Sequence, residues 1–104
     1  MKNNFFTIIT FGCKTNQYES NRFFSQLIKI GYEYNSSLKD ASIIIFNLCS
    51  VTAISEKKAH GEIKKAIKLN SDAKIVITGC ISDENKKKIV NFDKRIFIIS
   101  NKEK

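Results

Sequence analysis

Three cysteines, Cys13, Cys49 and Cys80, are the residues of this 104-residue chain best suited to chemistry. A thiolate is a nucleophile, a redox centre and a soft metal ligand. The set is odd in number and no secretory signal precedes it, so a closed disulfide framework is not expected. Separations of 36 and 31 residues, with no C-x-x-C pair, select no metal by themselves. The one histidine, His60, stands among Lys57, Lys58 and Lys64 and reads as a surface residue rather than a ligand.

What could bring the cysteines together is the pattern of elements between them. Phe5–Phe11 is a β-rich run stopped by Gly12. Asn16, with Glu19 three residues on, looks like a helix start; Phe23, Phe24, Leu27, Ile28 and Ile30 form a broad apolar face, and Gly31 ends the helix. Tyr32–Tyr34 reads as a short strand and Ile43–Phe46 as a strand covered on both faces. Thr52 caps a long helix to about Leu69, with Ala59, Ile63, Ala66 and Ile67 inward and the lysines outward. Lys74–Thr78 is a buried strand closed by Gly79, Ser82 caps a short helix through Ile89 and Val90, and Arg95–Ser100 is the last strand. Phe5, Phe6, Phe11, Phe23 and Phe24 all fall in core-like patterns.

The order β-α-β-β-α-β-α-β, with a loop in place of a helix between strands two and three, implies an α/β fold. The expected architecture is a flavodoxin-like, doubly wound, mostly parallel five-stranded sheet in the order 2-1-3-4-5. Each cysteine then falls just past the carboxyl end of a strand: Cys13 after the first, Cys49 after the third, Cys80 after the fourth. In that order these strands are consecutive neighbours, about 4.8 Å apart, and ligands of open parallel sheets bind at this rim. Three converging thiolates lack the fourth protein ligand of structural zinc. On an iron–sulfur cluster they would leave one iron open. The plain alternative is that strand-end cysteines are small buried hydrophobes. Gly12 and Gly79, each preceding a cysteine, would permit a tight turn or a close backbone approach. The helices opening after Cys13 and Cys49 would aim backbone N–H groups at an anion.

Composition narrows the class. Hydrophobic residues at 42% and charged residues at 27% describe an ordinary globular domain, not a disordered chain. No apolar run is long enough to span a membrane, and the first residues lack a signal-peptide pattern, so a cytoplasmic protein is expected. The net charge is +8, with Arg22 and Arg95 the only arginines beside sixteen lysines. The lysines of the long helix and Lys86-Lys87-Lys88 read first as solvated faces, with contacts to nucleic-acid phosphates as the functional alternative.

The stretches Phe11-Gly12-Cys13-Lys14-Thr15-Asn16-Gln17-Tyr18-Glu19-Ser20, Asn47-Leu48-Cys49-Ser50-Val51-Thr52 and Asp72-Ala73-Lys74-Ile75-Val76-Ile77-Thr78-Gly79-Cys80 resemble the N-terminal domain of the methylthiotransferases. These are radical S-adenosylmethionine enzymes. The tail Ile99-Ser100-Asn101-Lys102-Glu103-Lys104 is similar to the segment closing that domain, so the resemblance covers residues 1–104. It implies that Cys13, Cys49 and Cys80 ligate an auxiliary 4Fe–4S cluster whose open iron takes part in delivering sulfur. Gly12–Ser20 looks most like the branch acting on N6-threonylcarbamoyladenosine beside the tRNA anticodon. Other branches act on isopentenyladenosine of tRNA or on a ribosomal-protein aspartate. Leu48-Cys49-Ser50 departs from the usual Thr-Cys-Thr and keeps the ligand.

In the complete enzymes a second 4Fe–4S cluster cleaves S-adenosylmethionine, and the resulting radical takes hydrogen from adenine C2. The C-x-x-x-C-x-x-C motif of that cluster is missing here, as is the RNA-binding domain. The chain therefore resembles a front portion, expected to be inactive alone. No residue is assigned as catalytic. The implied partners are tRNA and a sulfur donor, with neither DNA nor a membrane. The competing reading is a non-catalytic basic α/β binding module with structural cysteines.

Overall fold

Alternating apolar runs and amphipathic stretches become five strands and three helices in the computed structural model, which describes residues 4–11, 14–49 and 53–100. In chain order they are β1 (Phe5–Thr10), α1 (Lys14–Lys29), β2 (Glu33–Tyr34), β3 (Ile43–Cys49), α2 (Ala53–Leu69), β4 (Lys74–Cys80), α3 (Asp83–Val90) and β5 (Ile96–Ser100). All four strand pairings are parallel, and the order is β2-β1-β3-β4-β5, as expected. A parallel strand needs a crossover, and α1, α2 and α3 supply three of the four. A loop in place of a helix carries the chain from β2 past β1 to β3, as expected.

The two faces of the sheet are unequal. Ile44, Phe46 and Leu48 of β3, Ile75 and Ile77 of β4 and Ile96 of β5 pack with Ala59, Ile63 and Ala66 of α2 and Ile89 of α3 into the main core. The opposite face carries α1 alone, through Phe6 against Phe24 (centroids 5.4 Å apart) and Ser20 against Asn47. The broad apolar face read on α1 is thus only partly used. Phe24 and Ile28 are exposed, and Ile30 is 70% exposed, because the two-residue β2 gives that end of the helix little sheet to cover. Val76 of β4 is half-buried on this second face, while Phe97 and Ile99 of the edge strand β5 stay exposed.

Helix ends follow local chemistry with one correction. Gly31 adopts φ +104°, and Gly31 N–H donates to Ile28 O while Tyr32 N–H donates to Leu27 O. This is a Schellman ending that needs glycine. Ser82 Oγ accepts from Asn85 N–H at 3.1 Å and caps α3, as expected. Asn16, however, is not a cap: α1 begins two residues earlier, at Lys14, which puts Asn16 inside the first turn. Thr52 lies outside the described residues.

The carboxyl end of α2 has no glycine and is closed by a side chain from far along the chain. Arg95 Nη1 donates to Asn70 O and Ala73 O at 2.7 and 3.0 Å, and Nη2 donates to Ile67 O at 3.3 Å. A cation here satisfies orphan carbonyls and complements the helix dipole. Asp93 holds the guanidinium through its two oxygens at 3.2 Å. The side-chain hydrogen bond from Arg95, with its backbone N–H, keeps the Asp93 carboxyl below the usual carboxylate range. A lowered folded-state pKa stabilises above the unfolded value and is lost as pH falls through the folded one. The stability advantage over Asp93→Asn should therefore be full at pH 7, begin to decline near pH 4, where aspartate ordinarily protonates, and be lost only as pH falls through the lowered value of the folded protein. Urea titrations of both proteins across that range check this.

Candidate functional site

The carboxyl rim of the sheet is where Cys49 and Cys80 lie. Asn47 pairs with Thr78, Leu48 with Gly79 and Cys49 with Cys80 along the β3–β4 ladder. Cys49 and Cys80 are the last residues of their strands, one residue inside the position expected for them, and they stand opposite each other on neighbouring strands. Directly paired parallel strands run about 4.8 Å apart, so the register alone brings these two backbones to one spot. On the other side of β3, Phe11 N–H donates to Asn47 O at 2.8 Å as the chain leaves β1. Gly12 and Cys13 follow Phe11 and lie outside the described residues.

Gly79 is what allows this register. Its φ is +106°, a conformation side chains rarely adopt. A Cβ at that point would run into Leu48 O and sit 2.7 Å from both Leu48 N and Asn47 Oδ1. The missing side chain therefore serves the approach of β4 to β3, immediately before Cys80.

Beneath the rim lies a polar layer that sequence patterns alone did not indicate. Asn47 and Thr78 are buried partners on adjacent strands. Asn47 Nδ2 donates to Ser20 Oγ at 3.1 Å, and Ser20 Oγ lies 2.5 Å from Thr10 Oγ1. These bonds tie α1 to β1 and β3 some two turns past the first cysteine. The available signal was a lone asparagine inside the apolar run Ile43–Leu48. A buried amide in such a place has to be satisfied by partners.

All three helices start at this same rim, α1 at Lys14, α2 at Ala53 and α3 at Asp83, each following the end of a strand. Their N-terminal N–H groups and dipoles favour an anionic occupant there. Among the described side chains, no group of three or more His, Cys, Asp or Glu gathers to hold a metal ion. The open pocket of about 470 Å³ lined by Asn4, Lys39, Asp40, Asn70 and Lys74 lies at the opposite, amino end of the strands. Among the described residues no helix is long and apolar enough to cross a membrane.

His60 is not the free surface residue expected. It is half-buried, its Nε2 donates to Asn85 Oδ1 at 2.5 Å, and its ring meets Phe92 edge-on at 5.3 Å. The reason is that α3 packs alongside α2, which a helical pattern within α2 alone does not reveal.

Residues 5–100 match the family described as "Uncharacterized protein family UPF0004". The threonylcarbamoyladenosine tRNA methylthiotransferase MtaB of Chlamydia pneumoniae is 35% identical over 100 residues, which are 95% of this chain and 24% of that protein. MtaB of Rickettsia prowazekii is 39% identical over 97 residues, 93% of this chain and 21% of the relative. The tRNA-2-methylthio-N(6)-dimethylallyladenosine synthase of Lawsonia intracellularis is 44% identical over 82 residues, 76% of this chain and 18% of the relative. The chain thus spans about a quarter or less of the length of these relatives. With all but its first and last few residues matched, the chain belongs to the UPF0004 family, as the domain it shares with the tRNA methylthiotransferases.

Proposed function

We propose that this chain is the N-terminal, auxiliary cluster-binding domain of a tRNA methylthiotransferase, with Cys13, Cys49 and Cys80 as the ligands of a 4Fe–4S cluster. The observation that carries the reading is the Cys49–Cys80 register at the end of two neighbouring parallel strands. Thiolates are the donors such clusters take, and the backbones of two of the three cysteines are already paired side by side. Three helix N-termini at the same rim suit the negative charge of a thiolate-bound cluster. When bound with three ligands, the cluster would supply an iron with an open position for sulfur.

The chain's own part is positional. Strands β3 and β4 hold the backbones of Cys49 and Cys80 in one register, Gly79 lets the strands close, and the Thr10–Ser20–Asn47 bonds anchor α1, the helix that follows the first cysteine in sequence. The domain boundary we assign is residues 1–104. The radical S-adenosylmethionine domain and the RNA-binding domain would belong to the remainder of a longer enzyme. The substrate we assign is C2 of N6-threonylcarbamoyladenosine in tRNA. It is supported by the Gly12–Ser20 stretch and by MtaB relatives matching across 95% and 93% of the chain. The setting would be the cytoplasm, where tRNA is modified.

Anaerobic reconstitution followed by iron and sulfide analysis tests the assignment. About four iron and four sulfide per chain are expected. Cys13→Ala, Cys49→Ala and Cys80→Ala should each lower the iron content by more than half while leaving the circular dichroism of the fold unchanged. A chain enriched in no iron, within a longer enzyme that also gains no auxiliary cluster, would overturn it.

A further inference from the structure

Half of the sixteen lysines sit on α2 and α3, the two helices that cover one face of the sheet. Their arrangement is directional. The His60–Asn85 bond and the Lys64–Phe92 contact identify the side of α2 that faces α3. Positions three, four or seven apart share a helix face, so Lys57, Lys64 and Lys68 lie along the His60 side of α2. Lys88, three residues past Asn85, lies on the facing side of α3. All four are exposed. The result is a seam with a floor of His60, Asn85 and Phe92 and with ammonium groups on both banks. From Lys57 to Lys68 it runs about 16 Å at the helical rise of 1.5 Å per residue, long enough to follow several nucleotides of a backbone.

Two physical points separate this from an ordinary solvated face. Lys64 and Lys68 are i,i+4 neighbours of like charge, which weakens a helix unless a counter-charge arrives. Lys57 lies in the second turn of α2, near the end where the dipole disfavours a cation, so dipole complementarity does not explain it. Of the acids of α3, Asp83 answers Lys86 at 3.7 Å, and Glu84, four residues before Lys88, is the one carboxylate of that helix on the seam side. Lys64 is also steadied, its Nζ 4.8 Å from the centre of the Phe92 ring, which reduces the freedom lost on meeting a phosphate.

We infer that the α2–α3 seam binds the sugar-phosphate backbone of RNA, and that it holds the tRNA body against this domain while the modified nucleotide reaches the carboxyl rim. This rests on the proposed role in tRNA modification. The seam carries no base-reading group and would position RNA without selecting sequence.

The test compares two charge-matched variants of the 104-residue chain for affinity to a tRNA transcript between 50 and 200 mM salt. One has Lys57→Gln, Lys64→Gln, Lys68→Gln and Lys88→Gln. The other has Lys29→Gln, Lys39→Gln, Lys74→Gln and Lys94→Gln, exposed lysines elsewhere on the surface. The seam variant should bind at least ten-fold more weakly, and its slope of log K against log salt should shrink by roughly 0.7–0.9 per contact removed. The scattered variant should stay within about two-fold of the parent. Equal losses in both variants, no loss in the seam variant, no tRNA binding by the parent, or an identical ten-fold loss on dextran sulfate would each overturn the inference. Iron content separates this from the cluster assignment. Normal cluster uptake with no seam effect removes the surface alone, whereas seam-dependent RNA binding with no auxiliary cluster, in this chain or in a longer enzyme, removes the cluster assignment alone.

Discussion

Gly79→Ala is expected to destabilise the fold by about 2–4 kcal/mol and to lower cluster iron well beyond what its stability loss accounts for. The positive φ by itself costs about 1–3 kcal/mol for a residue with a side chain. The added methyl must also displace Leu48 O and Leu48 N, which are backbone atoms of a central strand and have no cheap route out of the way. Overpacking of this kind commonly costs about 1–3 kcal/mol. Part of the two penalties is shared, because a shift that relieves the contact also relaxes the dihedral. The shift moves β4 away from β3 where Cys80 faces Cys49, and it is there that iron binding should suffer. Gly61→Ala is the matched control. Gly61 sits within α2, where an added methyl would have nothing within 4 Å, so alanine there should stabilise by about 0.5–1 kcal/mol. Urea denaturation and iron analysis of both variants decide the matter. An unaltered midpoint for Gly79→Ala would mean that the close approach of the strands is wrong.

Asn70→Ala should cost about 2–4 kcal/mol, although Asn70 is far from the cysteines. Its buried Nδ2 donates to Leu38 O at 2.8 Å, Ala41 O at 2.6 Å and, more weakly, Lys39 O at 3.3 Å. Its Oδ1 accepts from Asp72 N–H and Ala73 N–H at 3.0 and 2.9 Å. One amide thus joins the loop before β3 to the loop before β4, doing for the backbone what a further strand pair would do. Each buried group left unsatisfied costs about 1–3 kcal/mol. Water from the adjacent open pocket can reach some of them, which keeps the total below the sum. Asn70→Asp should be at least as damaging, because it replaces a donor aimed at three carbonyls with an acceptor. For a domain whose whole stability is of order 5–15 kcal/mol, either change should move the urea midpoint clearly at constant slope. Tolerance of Asn70→Asp would overturn the donor assignment.

The elements and their order were legible because they rest on local rules. Apolar runs between helical patterns predict the strands of a parallel sheet, and they became β1, β3, β4 and β5. Gly31 and Ser82 act within a few residues of themselves, and both ended or capped their helices as read. Alternation also led to the strand order, since right-handed crossovers leave few arrangements open. The local rules failed where two starts competed. Asn16 has cap chemistry, yet α1 begins at Lys14.

What the tertiary structure alone decided are relations between residues distant in sequence. Arg95 looks like one cation among eighteen, but it closes α2, more than twenty residues away. Asn70 looks like a loop residue and bonds to carbonyls some thirty positions earlier. His60 looks exposed until α3 packs against it, and Gly79 looks like a strand terminator until Leu48 is seen beside it. The cysteines divide along the same line. The placement of Cys49 and Cys80 at strand ends could be read from the sequence, while their pairing required the register of β3 and β4. Periodicity reports which way a residue faces within its own element. Only packing reports what it meets there, because loop closure brings together groups whose separation along the chain carries no information about their distance in space.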